Sequence, residues 1–416
     1  MNNNPLQHPL KEGKIVNDPI YGLIEIPDGI IITLIEHPYF QRLRRIMQLG
    51  LTHYVYPGAT HNRFHHSLGA VYLVRKAVQT LREKQIKISD KELEAVTIAI
   101  LLHDIGHGPF SHSLEHCLID VVHEELSKKM MHHLNEIFDG QLTMALQVFE
   151  GTYHKRFLHQ LVSGQLDMDR MDYLTRDSFF TGVQEGKVGY NRLLKLLHVH
   201  NDQLVIEFKG IYSVENFLMT RRLMYWQVYL HKNVICAGEM LVQIMRRARE
   251  LLQQGVALAL SPPLHYFLSQ ELNKQTLEEN TTEILDYFYR LDDTDVLAAV
   301  KSFAYHDDNV LSFLAKALLE RRLLGVDLKD EPIEKEFVAQ TKTRLAEAWP
   351  NWSTKELDYL VFEGQEANNA YKKGKEEILI LLKNNQVRPI SEWQEHCIQS
   401  KEIVKYFACY PKEIKA

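Results

Sequence analysis

The chain has 416 residues, of which 45% are hydrophobic and 25% charged, the composition of a globular protein too long for one small core. Its formal net charge of −6 argues against general affinity for nucleic acid, so an anion site would need a local cluster of basic residues. The N-terminus lacks the basic start of a signal peptide, and the apolar run at 96–102 is far short of the roughly 20 residues that span a bilayer.

These features predict a soluble, cytoplasmic protein that does not associate with membranes. The four cysteines are scattered and form no CxxC pair, which favours reduced thiols over a disulfide framework. They are Cys117, Cys236, Cys397 and Cys409.

The first half of the chain shows mostly helical patterning. Apolar residues alternate with polar ones over 14–29, between Asp-Pro and Asp-Gly pairs, which predicts short strands and turns. Apolar spacing predicts helices from Pro38 to Gly50 and from Phe64 to Glu83. Ser89 and Glu92 have the spacing of a capping box, so another helix should begin there and end at the glycines that follow His103. Further helices are predicted over 111–119, 123–136, 141–149, 155–163 and 169–178.

In the second half, Asn201-Asp202 predicts the turn of a hairpin, and helices should resume from Ser213 through the 250s. Beyond about residue 325 the pattern changes to short strands and helices. The predicted fold is mainly α. It comprises strands, turns and a first helix in 1–50, a helical core in 51–260, and a helical extension with a smaller C-terminal α+β region in 261–416.

Histidines and aspartates are concentrated in four segments: HNRFHHSLG at 61–69, HDIGHGPFSH at 103–112, HE at 123–124 and DMDRMDYLTRD at 167–177. A hydrolytic metal site needs neutral imidazoles and carboxylates, with open positions for water and substrate. His103 and Asp104 end an apolar helix, where a lone His-Asp pair is often only structural. Three histidines crowded after that helix favour a metal site, completed by a His from the preceding helix and an Asp from a later one.

Several segments resemble the HD-domain deoxynucleoside triphosphate triphosphohydrolases. They are FQRLRRIMQLGLTHYVYPGATHNRFHHSLG at 40–69, HDIGHGPFSH, DMDRMDYLTRD and RRLMYWQVYLHK at 221–232. The resemblance covers roughly residues 14–240 and is weak or absent after about 260. It implies an HD-domain helical core, a homo-oligomer, and release of a deoxynucleoside and inorganic triphosphate. In such a reaction, metal-activated water attacks the α-phosphate of the nucleotide substrate.

The resemblance also implies roles for individual residues. The ligands of a divalent metal ion (Mn, Fe, Mg, Zn or Ni) would be His66, His103, Asp104 and Asp169. The catalytic residues would be His112, Glu115 and His123. His112 would protonate the departing 5′-oxygen, and Glu115 would orient the imidazole of His112. Glu124 would support His123. The triphosphate would be bound by Arg63, His107, Arg170, Tyr173 and Arg221. The deoxyribose would be held by Gln48, Leu49, Asp177 and Tyr229.

A regulatory site is a further implication, because five residues fall where a human member of the family binds an activating nucleotide between subunits. They are Lys14, Ile15, Asn17, Glu36 and Arg44. The same segment could instead be a structural N-terminal hairpin. The sequence departs from the family pattern at three positions. The family has an acidic residue in place of His65 and Asp in place of Glu36. The human enzyme has Lys in place of Arg170.

Two other functions are compatible with the sequence. One is an HD phosphohydrolase or phosphodiesterase that acts on another nucleotide, and the other is a nucleotide-sensing binding protein on the HD scaffold. The set of Arg63, Arg170 and Arg221 favours a polyphosphate over a monophosphate, and the intact set of metal ligands speaks against a pure binder.

Overall fold

The computed structural model describes residues 13–368, 377–393 and 403–414. Cys397 lies outside these ranges, and the side chain of His112 also lies outside the described structure, although its backbone belongs to a helix. The cysteines that are described carry free thiols. Within the described ranges, no helix combines the length and apolar character needed to cross a membrane.

The described helices fall into two groups in chain order. The first group is α1 (Ile30–Glu36), α2 (Pro38–Gln41), α3 (Arg63–Glu83), α4 (Asp90–Leu102), α5 (Ser111–Leu118), α6 (His123–Ile137), α7 (Thr143–Phe149), α8 (Arg156–Val162), α9 (Met168–Thr181), α10 (Tyr190–Leu196), α11 (Ile211–Met224) and α12 (Lys232–Gln253). The second group is α13 (Pro262–Ser269), α14 (Lys274–Glu279), α15 (Thr281–Phe288), α16 (Asp293–Phe303), α17 (Asn309–Leu319), α18 (Lys335–Ala348) and α19 (Thr354–Asp358). The expected mainly α fold is confirmed.

The strands are short and form three small sheets in the described residues. They are β1 (Lys14–Asp18), β2 (Gly22–Ile26), β3 (Leu197–His200), β4 (Gln203–Glu207), β5 (Gly325–Lys329), β6 (Phe362–Asn368), β7 (Leu379–Leu381), β8 (Val387–Pro389) and β9 (Ile403–Tyr410). The sheet orders are β1-β2, β3-β4-β7-β8 and β5-β9-β6. One continuous hydrophobic core extends from Ile24 to Tyr410.

Local sequence signals explain the helices that carry the site. The side chain of Asn62 accepts the N–H of His65 at 3.2 Å and so caps α3. The predicted capping box between Ser89 and Glu92 is present at the start of α4. The helices predicted between 111 and 178 correspond to α5 through α9, with ends within a few residues of the prediction.

The continuous helix predicted from Pro38 to Gly50 is wrong. The α-helical segment ends at Gln41 and is followed by a 3₁₀ turn, after which Ile46 is extended with φ of −114°. The extended backbone lets Met47 pair with Asn62 and donate its N–H to Asp293 Oδ2 at 2.7 Å. These long-range contacts outweigh the local helical preference of the segment.

The predicted hairpin at Asn201-Asp202 is confirmed, and both residues have the positive φ that a tight two-residue turn requires. Its second strand, β4, also pairs in parallel with β7, with Val205 opposite Leu379. The C-terminal strands therefore extend a sheet that begins in the helical core.

Asp293, the first residue of α16, ties the helical extension to two loops of the core. Its Oδ2 accepts the N–H of Met47, and its Oδ1 accepts the N–H of Phe110 at 2.8 Å. Phe110 and Ser111 have φ of 50° and 23°, a conformation that is costly for residues other than glycine. The buried carboxyl group thus stabilises a strained turn at the start of α5.

We predict that Asp293 makes stability depend on pH. Burial raises the pKa of its carboxyl to about 7, against the effect of the two backbone N–H groups. An unfolded Asp has a pKa of about 4, so the folded protein binds this proton more tightly than the unfolded chain does. The stabilisation by the proton is complete below about pH 4 and is lost as the pH rises to about 7. The stability of the wild type relative to Asp293→Asn should fall by about 3 kcal/mol between about pH 5 and pH 8.

Urea unfolding of both proteins at the two pH values provides the measurement. Asp286→Asn, which removes a half-exposed carboxylate from α15, is the control for the loss of one charge. A difference between wild type and Asp293→Asn that does not change with pH would contradict the prediction.

Candidate metal and phosphate site

Hydrogen bonds on their Nδ1 atoms fix the two central imidazoles. His66 is buried on α3, and its Nδ1 lies 2.8 Å from Asp172 Oδ2. His103 caps the end of α4, and its Nδ1 lies 2.6 Å from the carbonyl oxygen of Ile100. A carboxylate and a carbonyl oxygen only accept, so both Nδ1 atoms carry a proton, and each Nε2 offers its lone pair to a metal ion once it is deprotonated. The two Nε2 atoms are 3.3 Å apart.

Two carboxylates meet these lone pairs. Asp169 Oδ1 lies 3.1 Å from Nε2 of His66 and 3.4 Å from Nε2 of His103. Donor atoms that share one ion at about 2.1 Å are themselves roughly 3.0–3.4 Å apart, so these three atoms fit a common metal ion. Asp104 adds Oδ1 at 3.3 Å from Nε2 of His103 and Oδ2 at 3.6 Å from Nε2 of His66. The structure therefore brings His66, His103 and Asp169 into one group of donor atoms, with the carboxylate of Asp104 beside it.

The charges of this cluster favour a cation. Burial by itself lowers the pKa of His66, but hydrogen bonds with Asp169 and Asp172 outweigh burial and raise it to about 10. Conversely, burial raises the pKa of Asp169, and the hydrogen bonds with the two histidines lower it below its usual range. Because negative charge surrounds the two Nε2 atoms, His66 holds a proton there without a metal ion, and a divalent ion would take its place.

Arg63 and His107 flank the carboxylate of Asp104. Arg63 Nη1 donates to Asp104 Oδ2 at 2.6 Å, and its Nε donates to Ser111 Oγ at 2.9 Å. His107 Nε2 lies 3.3 Å from Asp104 Oδ1, and its ring stacks on His123 with centroids 3.8 Å apart. Burial, followed by the charge of Arg63, lowers the pKa of His107 well below its usual value, which favours a neutral ring.

Glu115 and His123 form a second pair beside the metal cluster. Glu115 Oε1 lies 2.6 Å from Nδ1 of His123 and also accepts its backbone N–H at 2.7 Å. Glu124, which we expected to support His123, is largely exposed and lies 3.5 Å from the same nitrogen. Glu115 from the neighbouring helix α5 is the closer carboxylate, and the support of His123 by Glu124 stays a prediction.

Buried Asp177 and His61 meet half-buried Tyr229 at the other end of the site. The Tyr229 hydroxyl donates to Asp177 Oδ2 at 2.7 Å, and His61 Nε2 lies 2.7 Å from Asp177 Oδ1. The ring of Tyr173 lies between this group and the metal cluster, 6.5 Å from the ring of His66 and 6.4 Å from that of Tyr229. Sequence reasoning missed His61, although it stands two residues before Arg63 in the same motif.

A π-helical turn places Tyr229. It spans Tyr225–Tyr229 between α11 and α12, where the sequence predicts only continued helix. Such turns insert one residue into a helix and are frequent at functional sites. The turn brings Tyr229 to Asp177.

The arginines expected to bind phosphate are partly paired. Arg170 pairs with Asp167, and Arg221 donates to Gln165 Oε1 at 3.2 Å. Both guanidinium groups lie near Tyr173. Burial, followed by Tyr225, raises the pKa of its phenol well above the usual value, although the charges of the two arginines oppose this shift. In the described part of the chain, the Nε atoms of both arginines are buried without a hydrogen-bond partner.

Gln48 and Leu49 follow the extended segment at Met47. The N–H of Gln48 donates to the carbonyl oxygen of His61 at 3.0 Å, which connects this loop to the Asp177 group. Its side-chain oxygen is buried and has no partner among the described residues. Leu49 packs against the hydrophobic core.

The residues of the expected regulatory site lie on or near the β1-β2 hairpin: Lys14, Ile15, Asn17, Glu36 and Arg44. Lys14 pairs with Glu36, and Ile15 is 62% exposed. Arg44 donates to Gln41 Oε1 at 2.8 Å and stacks on Phe64 at 3.6 Å. Glu36 and Arg44 thus have separate partners.

Comparisons with known proteins agree with this architecture. Residues 63–177 match the HD domain family, and residues 188–258 match the HD associated region. A phosphohydrolase of Bacteroides thetaiotaomicron VPI-5482 has a similar structure, with a TM-score of 0.92 and 46% identity over 96% of this chain and 100% of that chain. The protein YwfO of Bacillus subtilis (strain 168) is 32% identical over 97% of this chain and 94% of its own length.

The chain therefore belongs to the HD-domain phosphohydrolases and is an enzyme of that metal-dependent family. The human deoxynucleoside triphosphate triphosphohydrolase SAMHD1 is 34% identical over 264 residues, which cover 53% of this chain. That match spans 42% of the human protein. The protein of Dictyostelium discoideum named as its homolog is also 34% identical, over 47% of its length.

We predict that the turn after His103 tolerates alanine at Gly108 but not at Gly106. A Cβ at Gly106 would collide with the backbone nitrogen of Ser127 and the carbonyl oxygen of His123, whereas a Cβ at Gly108 would meet only Phe288 at 3.9 Å. Urea unfolding should show a loss of about 3 kcal/mol for Gly106→Ala and about 0.5 kcal/mol or less for Gly108→Ala. Equal losses in the two variants would disprove this packing.

Proposed function

We propose that the enzyme hydrolyses deoxynucleoside triphosphates to the deoxynucleoside and intact inorganic triphosphate. The observation that carries the proposal is the continuity of the site. Two imidazole Nε2 atoms converge with two carboxylates at one end, and the group around Asp177 and Tyr229 lies at the other. Tyr173 and the arginines near it lie between them. The names of the relatives from human and Dictyostelium discoideum support the same substrate class.

In this proposal the metal ligands are His66, His103, Asp104 and Asp169. A divalent ion there would lower the pKa of a water molecule and stabilise negative charge on the α-phosphoryl oxygen. The nitrogen and oxygen donors accept Mn, Fe, Mg, Zn or Ni, so availability in the cell matters as much as affinity. Asp172 accepts a hydrogen bond from Nδ1 of His66, on the side of the ring opposite the metal position, and keeps a proton on that nitrogen.

Proton transfer is assigned to α5 and the start of α6. His112 stands in the first turn of α5 and is proposed to protonate the departing 5′-oxygen. Glu115 Oε1 orients the ring of His123 through its Nδ1, beside the position proposed for the departing oxygen. The ring of His107, stacked flat on His123, restricts its rotation. The strained turn at Ser111, stabilised by Asp293, sets the start of this helix.

The triphosphate, with about four negative charges, is proposed to be bound by cations that the structure already orients. Arg63 lies beside the metal carboxylate Asp104, and Arg170 and Arg221 lie near Tyr173. The buried Nε–H groups of Arg170 and Arg221, which have no partner among the described residues, are donors that a phosphate oxygen would satisfy. His107 is proposed to contact the same triphosphate with a neutral imidazole.

The Asp177 group is proposed to hold the deoxyribose. Asp177 accepts from both Tyr229 and His61, so the tyrosine ring is fixed in place. We propose that this ring packs where a 2′-hydroxyl would lie and thereby excludes ribonucleotides. Gln48, whose buried side-chain oxygen has no partner in the described residues, is a further sugar contact together with Leu49.

Assembly and regulation are also proposals. We propose a homo-oligomer with an activating nucleotide at Lys14, Ile15, Asn17, Glu36 and Arg44. Lys14 pairs with Glu36 and Arg44 donates to Gln41, and each side chain has further N–H donors that could bind a nucleotide.

The products of the reaction test the proposed substrate. Purified protein is incubated with each dNTP and Mn²⁺ or Mg²⁺, singly and in mixtures, and products are separated by ion-pair chromatography. We expect the deoxynucleoside and inorganic triphosphate, because the attacked bond is at the α-phosphate. Activity that appears only in mixtures would indicate nucleotide activation. Release of orthophosphate with a deoxynucleoside diphosphate, or of pyrophosphate with a deoxynucleoside monophosphate, in place of triphosphate would contradict the proposal.

Asp169→Ala distinguishes this activity from that of a contaminant. Loss of a carboxylate shared by two imidazoles should abolish hydrolysis and lower the metal content of the purified protein. Asp28→Ala, at an exposed position between β2 and α1, is the matched control and should keep both properties. Full hydrolysis by Asp169→Ala would overturn the ligand assignment.

A further inference from the structure

Buried charges connect the N-terminal hairpin to His66. Asp172 Oδ2, which holds His66 Nδ1, also accepts Nε–H of Arg176 at 2.9 Å, and Asp172 Oδ1 accepts from Nη2 at 3.0 Å. The remaining Nη1 of Arg176 donates at 2.8 Å to Oδ2 of Asp18, the last residue of β1. One guanidinium therefore joins a carboxylate of the hairpin to the carboxylate behind His66.

The packing around this connection leaves no room for rearrangement. Arg176 and Asp172 have no exposed surface, and Asp18 is 8% exposed. Gly69, one turn after His66 on α3, faces the pair so closely that an added Cβ would collide with both Asp172 and Arg176. Burying a guanidinium costs free energy unless the group is paired. Asp172 and Asp18 therefore both offset the cost of burying Arg176.

Asp18 also shapes the hairpin itself. Its Oδ1 accepts the N–H of Ile20 at 2.9 Å and that of Tyr21 at 3.0 Å, which closes the turn between β1 and β2. The ring of Tyr21 stacks on Tyr72 of α3 with centroids 4.7 Å apart. The same carboxylate therefore orders the hairpin turn and neutralises Arg176.

We propose that Asp18 is a positioning residue for His66, acting through Arg176 and Asp172, so that hairpin order and metal binding are coupled. The inference rests on the proposed role of His66 as a ligand. Without Asp18, Asp172 alone neutralises Arg176 and becomes a weaker acceptor for the Nδ1 proton of His66. The imidazole is then held less firmly, and its Nε2 is a weaker donor to the metal. Because such coupling is reciprocal, metal binding must in turn stabilise the hairpin.

The first test compares the metal affinity of two full-length variants. Asp18→Asn keeps the size of the side chain and an oxygen for the turn N–H groups, but it turns an amide towards Arg176. Glu25→Gln removes an exposed charge from the same hairpin and is the matched control. In Mn²⁺ titrations against a chromophoric chelator, Asp18→Asn should bind about tenfold more weakly than wild type, and Glu25→Gln should bind equally.

Three outcomes of the titration are distinct. Equal affinity of Asp18→Asn and Glu25→Gln, with Mn²⁺ bound by the wild type, would overturn the coupling and leave the proposed activity intact. A wild type that binds no metal would overturn both. Weaker binding by Asp18→Asn alone supports the coupling, because a merely structural role would lower the unfolding temperature without changing affinity.

The second test uses the wild type alone, so it does not depend on a variant that folds. Hydrogen exchange of peptides covering 14–26 is measured by mass spectrometry with and without saturating Mn²⁺. We expect the metal to slow exchange in this segment about tenfold, which mirrors the change in affinity. Exchange that is unaffected by Mn²⁺ in the hairpin, while peptides around His103 become protected, would contradict the coupling.

Discussion

Two hydrogen bonds determine the chemistry of the site, namely those that keep the protons of His66 and His103 on Nδ1. With these protons on Nδ1, the two Nε2 atoms face each other 3.3 Å apart and require a cation between them, either a proton or a metal ion. The carboxylate of Asp169 adds the negative charge such a cation requires. The buried Asp172 and the close approach at Gly69 serve to maintain the first of these hydrogen bonds.

Residues that lie before and after the HD-matching segments in the sequence also hold the site in place. Asp18 lies before residue 63, and Asp293 lies after residue 258, the limits of the two matched regions. Each is a buried carboxyl group that fixes a side chain or turn leading into the site. The parallel pairing of β4 with β7 adds a further link between the core and the C-terminal segment. The HD region of this chain is therefore not independent of its flanking segments.

Local signals predicted most of the helices, because caps and apolar spacing act within one or two turns. The helix predicted from Pro38 to Gly50 was wrong because the N–H of Met47 binds a carboxyl group 246 residues away. Dense motifs and the family resemblance they carry predicted the four proposed metal ligands, whereas the pairing of Glu115 with His123 depends on how two helices meet. Nor could a three-residue strand such as β7 be assigned to β4 from its sequence.

The most direct measurement is anomalous diffraction from crystals soaked in Mn²⁺. We expect a single strong peak at about 2.1 Å from Nε2 of both His66 and His103, with an oxygen of Asp169 in the same shell. A peak at the group formed by Glu115, His123 and Glu124, with none between the two imidazoles, would contradict the assignment of the metal centre.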